Sequence, residues 1–307
     1  MMTIIKEFVA LLIRYSGLPF LIRRFFCRKK VTIILYHDPK PEVLDRHFNY
    51  LIKHYNFISL PILIDALHEK DWSNIPENGL VVTIDDGNKD NYKLLNTFKK
   101  YQVRPTIYVC TDIIGTNRHF WFKDITPKEF KKLITQNHKK RLMILKNKYG
   151  FLQEKEYPDS ERQSLSIQEM KEMLPFVDFQ SHSKTHPSLT TCDDEDCWNE
   201  ICDSKKHLEE LLNKSCEHLS YPNGDYGERE ESVCKKCGYR SARTVNIGWN
   251  DNNTDPYHLK IIFVGDNASI TRLSAQMSAI LSYLSYLLQY KNLQGIHKSV
   301  KLKENNK

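Results

Sequence analysis

Two adjacent carboxylates, Asp85 and Asp86, end the apolar run Val81-Val82-Thr83-Ile84 and are followed at once by Gly87. β-prone residues stopped by Asp-Asp-Gly predict a buried strand whose last residues emerge at its carboxyl end, where sheet enzymes place their chemistry. Neighbouring carboxylates repel, so the pair does little for stability. Both stay ionised at neutral pH only beside a cation or hydrogen-bond donors. Downstream, His182 and His186 lie in Ser181-His182-Ser183-Lys184-Thr185-His186-Pro187, just after a short strand predicted at 177–179. On a strand-to-loop turn both imidazoles can aim at one point. With Asp86 they offer two nitrogens and one carboxylate and leave positions open, as expected of a catalytic metal rather than a closed structural one.

Such a site needs strands that end at one rim. Apolar, β-prone runs predict strands over 31–38, 57–60, 81–85, 105–109, 177–179, 219–226, 240–244 and 257–263. Helical spacing predicts helices over 48–55, 61–70, 90–101, 166–174, 198–212, 230–237 and 269–290. Ser166 with Glu169 reads as a capping box, and Gly238 follows the helix that ends at Cys237. This alternation predicts an α/β fold with a mainly parallel sheet, open or closed into a barrel. His37 closes the first strand at the same kind of end as Asp85, which makes it a further candidate for the site.

At 307 residues, with 40% hydrophobic and 27% charged, the chain can build one sizeable core, and no repeat or low-complexity linker divides it. The expected organisation is an N-terminal helical arm over 1–30, a main domain over 31–290 with a helical insertion around 119–164, and a basic C-terminal tail over 291–307. The arm carries Ile5, Phe8, Val9, Leu12 and Ile13, a Gly17-Leu18-Pro19 break, then Phe20, Leu21, Phe25 and Phe26. It either packs on the domain or lies peripherally in a membrane interface. Its apolar run from Phe8 to Ile13 is too short to span a bilayer, and no small-residue cleavage site follows.

The net charge of +7 comes from basic clusters at 23–30, 131–141 and beyond 291, read as solvated helix faces or as attraction to an anionic surface; no nucleic-acid-binding motif appears. The eight cysteines are expected to be reduced thiols in a cytoplasmic protein, associated at most with the inner membrane face. Cys234-Lys-Lys-Cys237 lacks a second CxxC and reads as helix-end cysteines rather than a zinc knuckle.

Thr83-Ile84-Asp85-Asp86-Gly87, then Ser181-His182-Ser183-Lys184-Thr185-His186-Pro187, then Tyr221-Pro222-Asn223-Gly224, in that order on a β/α background, resembles the polysaccharide deacetylases, the NodB-homology carbohydrate esterases. The likeness covers roughly residues 31 to 265. The early Leu35-Tyr36-His37 is similar to the branch that includes the poly-N-acetylglucosamine deacetylases. The resemblance implies a distorted (β/α)7-type barrel and a metal-dependent hydrolase that removes acetyl groups, N-acetyl first, from a glycan or sugar-lipid precursor. It implies Asp85 as the general base. It also implies one divalent ion, Zn2+ ahead of Co2+, Ni2+ or Mn2+, held by Asp86, His182 and His186, with a water on that ion as nucleophile. His37 is the implied acid, with His258 the alternative. Tyr221, Pro222, Asn223 and Gly224 are the implied substrate-binding wall, whose backbone N–H groups face the developing oxyanion. The sequence departs from the family at Ser220, where many members carry an arginine that orients the base. That leaves a second reading: a glycan-binding protein on this fold that has lost turnover.

Overall fold

The computed structural model describes residues 2–280 of the chain. Among these residues eight strands run in the order β1 (Val31–Tyr36), β2 (Asn56–Phe57), β3 (Gly79–Ile84), β4 (Thr106–Val109), β5 (Asp178–Ser181), β6 (His218–Ser220), β7 (Ser241–Ile247) and β8 (Leu259–Phe263). All pair in parallel. β1 pairs with both β3 and β8, so seven strands close into a ring, and the two-residue β2 attaches to the start of β3. The expected distorted (β/α)7 barrel is therefore the fold. Because every strand runs the same way, all carboxyl ends meet at one rim, where the candidate residues emerge.

β1 and β3 are buried along their whole length, as strands covered on both faces must be. Alternate residues face opposite ways. Val31, Ile33 and Leu35 join Val81, Tyr108, Leu259 and Ile261 in one cluster. Ile34 and Tyr36 join Val82, Ile84, Ile107 and Val109 beneath the outer helices.

Among the described residues, twelve α-helices accompany the strands: α1 (Met2–Tyr15), α2 (Leu18–Ile22), α3 (Pro41–Leu51), α4 (Leu60–Glu69), α5 (Leu95–Tyr101), α6 (Pro127–Leu133), α7 (His138–Tyr149), α8 (Ile167–Met173), α9 (Asp194–Trp198), α10 (Ser204–Leu212), α11 (Glu228–Lys236) and α12 (Ile270–Met277). Helix α3 begins well before the expected residue 48, because Pro41 suits a first turn. The strand expected at 57–60 stops after Phe57, because Ser59 and Pro61 start α4. The helix expected over 198–212 is interrupted by a π-helical turn at Asn199–Asp203, and that over 90–101 opens as a 3-10 helix. Ser166 and Glu169 form the expected capping box.

The insertion is helical, with a small core of Trp121, Leu133 and Leu145. α1 packs on α12 through Ala10, Ile13 and Ala275, with Arg14 Nη1 3.1 Å from the Thr271 hydroxyl. The tail over 291–307, and the part of the closing helix expected beyond residue 280, lie outside the described residues. Among the described residues no helix is long and apolar enough to cross a membrane. One expectation is corrected: Cys202 and Cys237 pair as a disulfide, their Cα atoms 5.3 Å apart, within bridging range. The π-helical turn and the end of α11 bring together residues 35 positions apart in the chain. The other six cysteines are free and buried.

Candidate active site

β1 and β3 pair in register up to Tyr36 and Ile84, so His37 and Asp85 leave adjacent strands at one level. The Asp85 amide donates to the Tyr36 carbonyl at 3.0 Å. Asp86 then takes φ 75° and Gly87 φ 76°, turning the chain sharply. Gly87 is required there, because a Cβ would come within 2.8 Å of Val109 Cγ1.

Asp85 Oδ2 accepts from Arg243 Nη2, which also donates to the Ser220 hydroxyl. Ser220 and Arg243 are register partners on β6 and β7. The arginine absent at position 220 is thus replaced by one from the neighbouring strand, with its guanidinium against the same carboxylate. Burial alone would push Asp85 up, but Arg243, His182 and His37 outweigh it and hold the carboxyl below its usual range. Burial pushes Asp86 the other way, above its usual range.

His182 follows β5, its amide donating to the Val109 carbonyl at 2.8 Å. Its Nδ1 lies 2.8 Å from the Ser220 carbonyl. A carbonyl only accepts, so the proton sits on Nδ1 and the Nε2 lone pair faces the acidic pair. Ser183 and His186 have φ 64° and 62°, left-handed conformations that cost energy outside glycine. Buried Glu200, from the π-helical turn, holds this loop: its carboxylate accepts from the Lys184 and Thr185 amides, both at 2.9 Å, and from the Thr185 hydroxyl at 2.5 Å. Trp121 Nε1 fixes the far end by donating to the His186 carbonyl at 2.9 Å. Burial lowers both imidazoles to about 4, so they are neutral and free to ligate at neutral pH.

Asp86 Oδ1 lies 3.8 Å from His182 Nε2 and 3.7 Å from His186 Nε2. Donors about 2.0–2.2 Å from one ion are separated by about 3.3–4 Å, so these atoms fit a shared divalent cation. The charge balance fits too. Two carboxylates stand adjacent and nearly buried, only Asp85 of the two accepts from Arg243, and no donor among the described residues hydrogen-bonds the Asp86 carboxylate. A cation held by Asp86, His182 and His186 would supply that missing charge.

These groups open into one cavity of about 430 Å³, lined also by His37, Tyr221, Asn223, Leu35, Val245 and Phe263, and by Phe122 and Phe130 from the insertion. Phe122 lies against His186, ring centroids 4.7 Å apart. His258 does not line the cavity. Its Nε2 is 2.9 Å from Glu231 and its Nδ1 3.6 Å from Asp255, so both nitrogens are engaged elsewhere.

Pro222 and Gly224 do not line the cavity either. They shape the turn, and Gly224 is needed because a Cβ would meet Val245 Cγ2 at 2.3 Å. The Gly224 and Asp225 amides donate to the Tyr221 and Pro222 carbonyls, so they cannot serve an oxyanion. Two buried donors on this wall are left without a partner, Asn223 Nδ2 and the Tyr221 hydroxyl.

Sequence reasoning missed Arg243, Glu200, Phe122 and Phe130. An arginine inside the strand-like run 240–244 was the available signal for the first. Glu200 shares a helical face with Cys197, Ile201 and Ser204, all buried.

The polysaccharide deacetylase family profile matches residues 73–242, more than half of the chain. No curated protein sequence matches. Among solved structures, a deacetylase from Streptococcus pyogenes, PplD, is similar at 20% identity and a TM-score of 0.60, over 81% of this chain and 99% of its own. IcaB from Ammonifex degensii is similar at 14% identity and a TM-score of 0.59, over 81% of this chain and 97% of its own. A de-N-acetylase from Aggregatibacter actinomycetemcomitans is similar at 14% identity and a TM-score of 0.58, over 80% and 99% of the two chains. These structures share the barrel, and the profile match shows that the chain belongs to the polysaccharide deacetylase family.

Proposed function

We propose that this chain is a metal-dependent hydrolase that removes N-acetyl groups from an acetylated glycan or sugar-lipid. The observation that carries the reading is the convergence of Asp86, His182 and His186, with ligand atoms all within 4.8 Å of one another, beside an Asp85 whose Oδ2 is 3.5 Å from His182 Nε2. A nitrogen-rich donor set with one carboxylate suits Zn2+ ahead of Co2+, Ni2+ or Mn2+.

When bound, the ion would polarise the acetyl carbonyl and lower the pKa of the attacking water. Asp85 is the base. Arg243 anchors Oδ2 and keeps the carboxylate ionised, while Oδ1 has no hydrogen-bond partner and can take the water's proton. His37 is the acid, an imidazole on the cavity wall from which a proton can pass to the leaving amine. Asn223 Nδ2 is the donor for the developing oxyanion. Phe122 and Phe130 give the sugar ring an apolar wall on which its C–H face can rest.

Two of the structural neighbours are named as a deacetylase and a de-N-acetylase, in keeping with this chemistry. The non-catalytic binding reading had Ser220 as its motive, and the Arg243 guanidinium against Asp85 supports turnover instead. The test is acetate release from N-acetylglucosamine oligomers before chelation, after it, and after Zn2+ is restored. The reading expects loss and recovery; release that chelation leaves unchanged would overturn it.

A further inference from the structure

We infer that the N-terminal arm is an interfacial anchor that docks the protein onto an anionic lipid bilayer. Of the eighteen exposed large apolar side chains among the described residues, ten lie within the first 26 positions. Their spacing is ordered. Ile5, Phe8, Leu12 and Tyr15 follow one another at helical intervals along α1, with Leu11 beside them, all between 43% and 75% exposed. Leu18, Leu21 and Phe25 repeat the pattern, flanked by Phe20 and Phe26.

α1 is therefore apolar on two faces. Ala10 and Ile13 pack against Ala275, and the helix's Glu7 and Arg14 are spent on Ser269 and Thr271 on that same side. The opposite stripe is uncharged and uncovered among the described residues. A face like this is far from the ordinary scatter of single surface leucines, and in water it carries a hydrophobic cost that burial in a lipid interface removes.

The charge around it selects the partner. Residues 1–30 hold seven basic side chains and one acid, Glu7, an excess of six positive charges beside the apolar stripe. Arg28 and Lys30 pair with Glu77 and Asp251, whereas Lys6, Arg24 and Lys29 are exposed and form no ion pair among the described residues. Apolar side chains at the headgroup boundary with free cations beside them match an anionic bilayer surface.

The test uses the full chain and vesicle flotation, so it reads docking without turnover. Vesicles of phosphatidylglycerol mixed with phosphatidylcholine should carry the protein upward; vesicles of phosphatidylcholine alone, or added salt, should weaken binding at least tenfold. Phe8→Glu with Phe25→Glu should abolish flotation while melting temperature and acetate release stay unchanged, and Arg24→Glu with Lys29→Glu should weaken it at least tenfold. Failure of the wild-type chain to float overturns the inference. So does a dimer that Phe25→Glu disperses, because a second copy then covers the stripe. A large fall in melting temperature for Phe8→Glu also overturns it, because residues 281–307 of the chain then cover the stripe.

Discussion

Asp85 keeps a usable negative charge in a buried place because Arg243 faces it across the barrel. Removing one partner of a buried ion pair leaves the other uncompensated, at a cost of about 3–5 kcal/mol. Arg243→Gln should therefore lower the melting temperature by several degrees and cut kcat at least tenfold, with metal content unchanged. The register pairing of Ser220 with Arg243 gives a sharper form of the same prediction. Moving the guanidinium back across the sheet, Ser220→Arg with Arg243→Ser, should recover part of both losses. Thermal melting and steady-state acetate release check it, and equal damage in the single and double variants would refute the positioning role.

At the scale of elements, the loop carrying His182 and His186 is held in left-handed conformations by Glu200, which reaches it from the π-helical turn. Glu200→Ala removes three hydrogen bonds to a buried carboxylate. It should cost about 3 kcal/mol in stability and weaken metal affinity, measured by urea denaturation and metal titration. The insertion acts on substrate instead. Phe122→Ala should raise KM for a glycan about tenfold and change kcat little, as loss of a single aromatic contact does. The strands, the acidic pair and the two histidines were legible in the sequence, because apolar runs that stop at Asp-Asp-Gly or at a histidine mark strand ends. Arg243 was not, because which residue of β7 faces Ser220 is set by sheet register, a property of the closed barrel. The disulfide and the aromatic wall from the insertion were hidden for the same reason. Each depends on segments distant in sequence meeting in space, and the Phe122 and Phe130 side chains look like ordinary core residues until the cavity exists.

The whole molecule also carries a pH signature. Burial lowers His218 to about 3 and His138 to about 4, well under the value near 6.5 of an exposed histidine. Between those values the unfolded chain binds protons that the folded chain refuses, so stability should fall as pH drops from about 6.5 toward 4. Melting curves against pH should show this acid limb, and His218→Asn should flatten it. The barrel brings strand ends from distant parts of the chain to one rim, and the proposal that Asp86, His182 and His186 hold one divalent ion there is the central claim. Metal content and acetate release measured on the same preparations of wild-type, Asp85→Asn and His182→Ala protein test it most directly. The account predicts about one divalent ion per chain in wild-type and Asp85→Asn, acetate release about 10²- to 10⁴-fold lower in Asp85→Asn, and no retained metal in His182→Ala. Full acetate release by Asp85→Asn, or undiminished metal in His182→Ala, would contradict it.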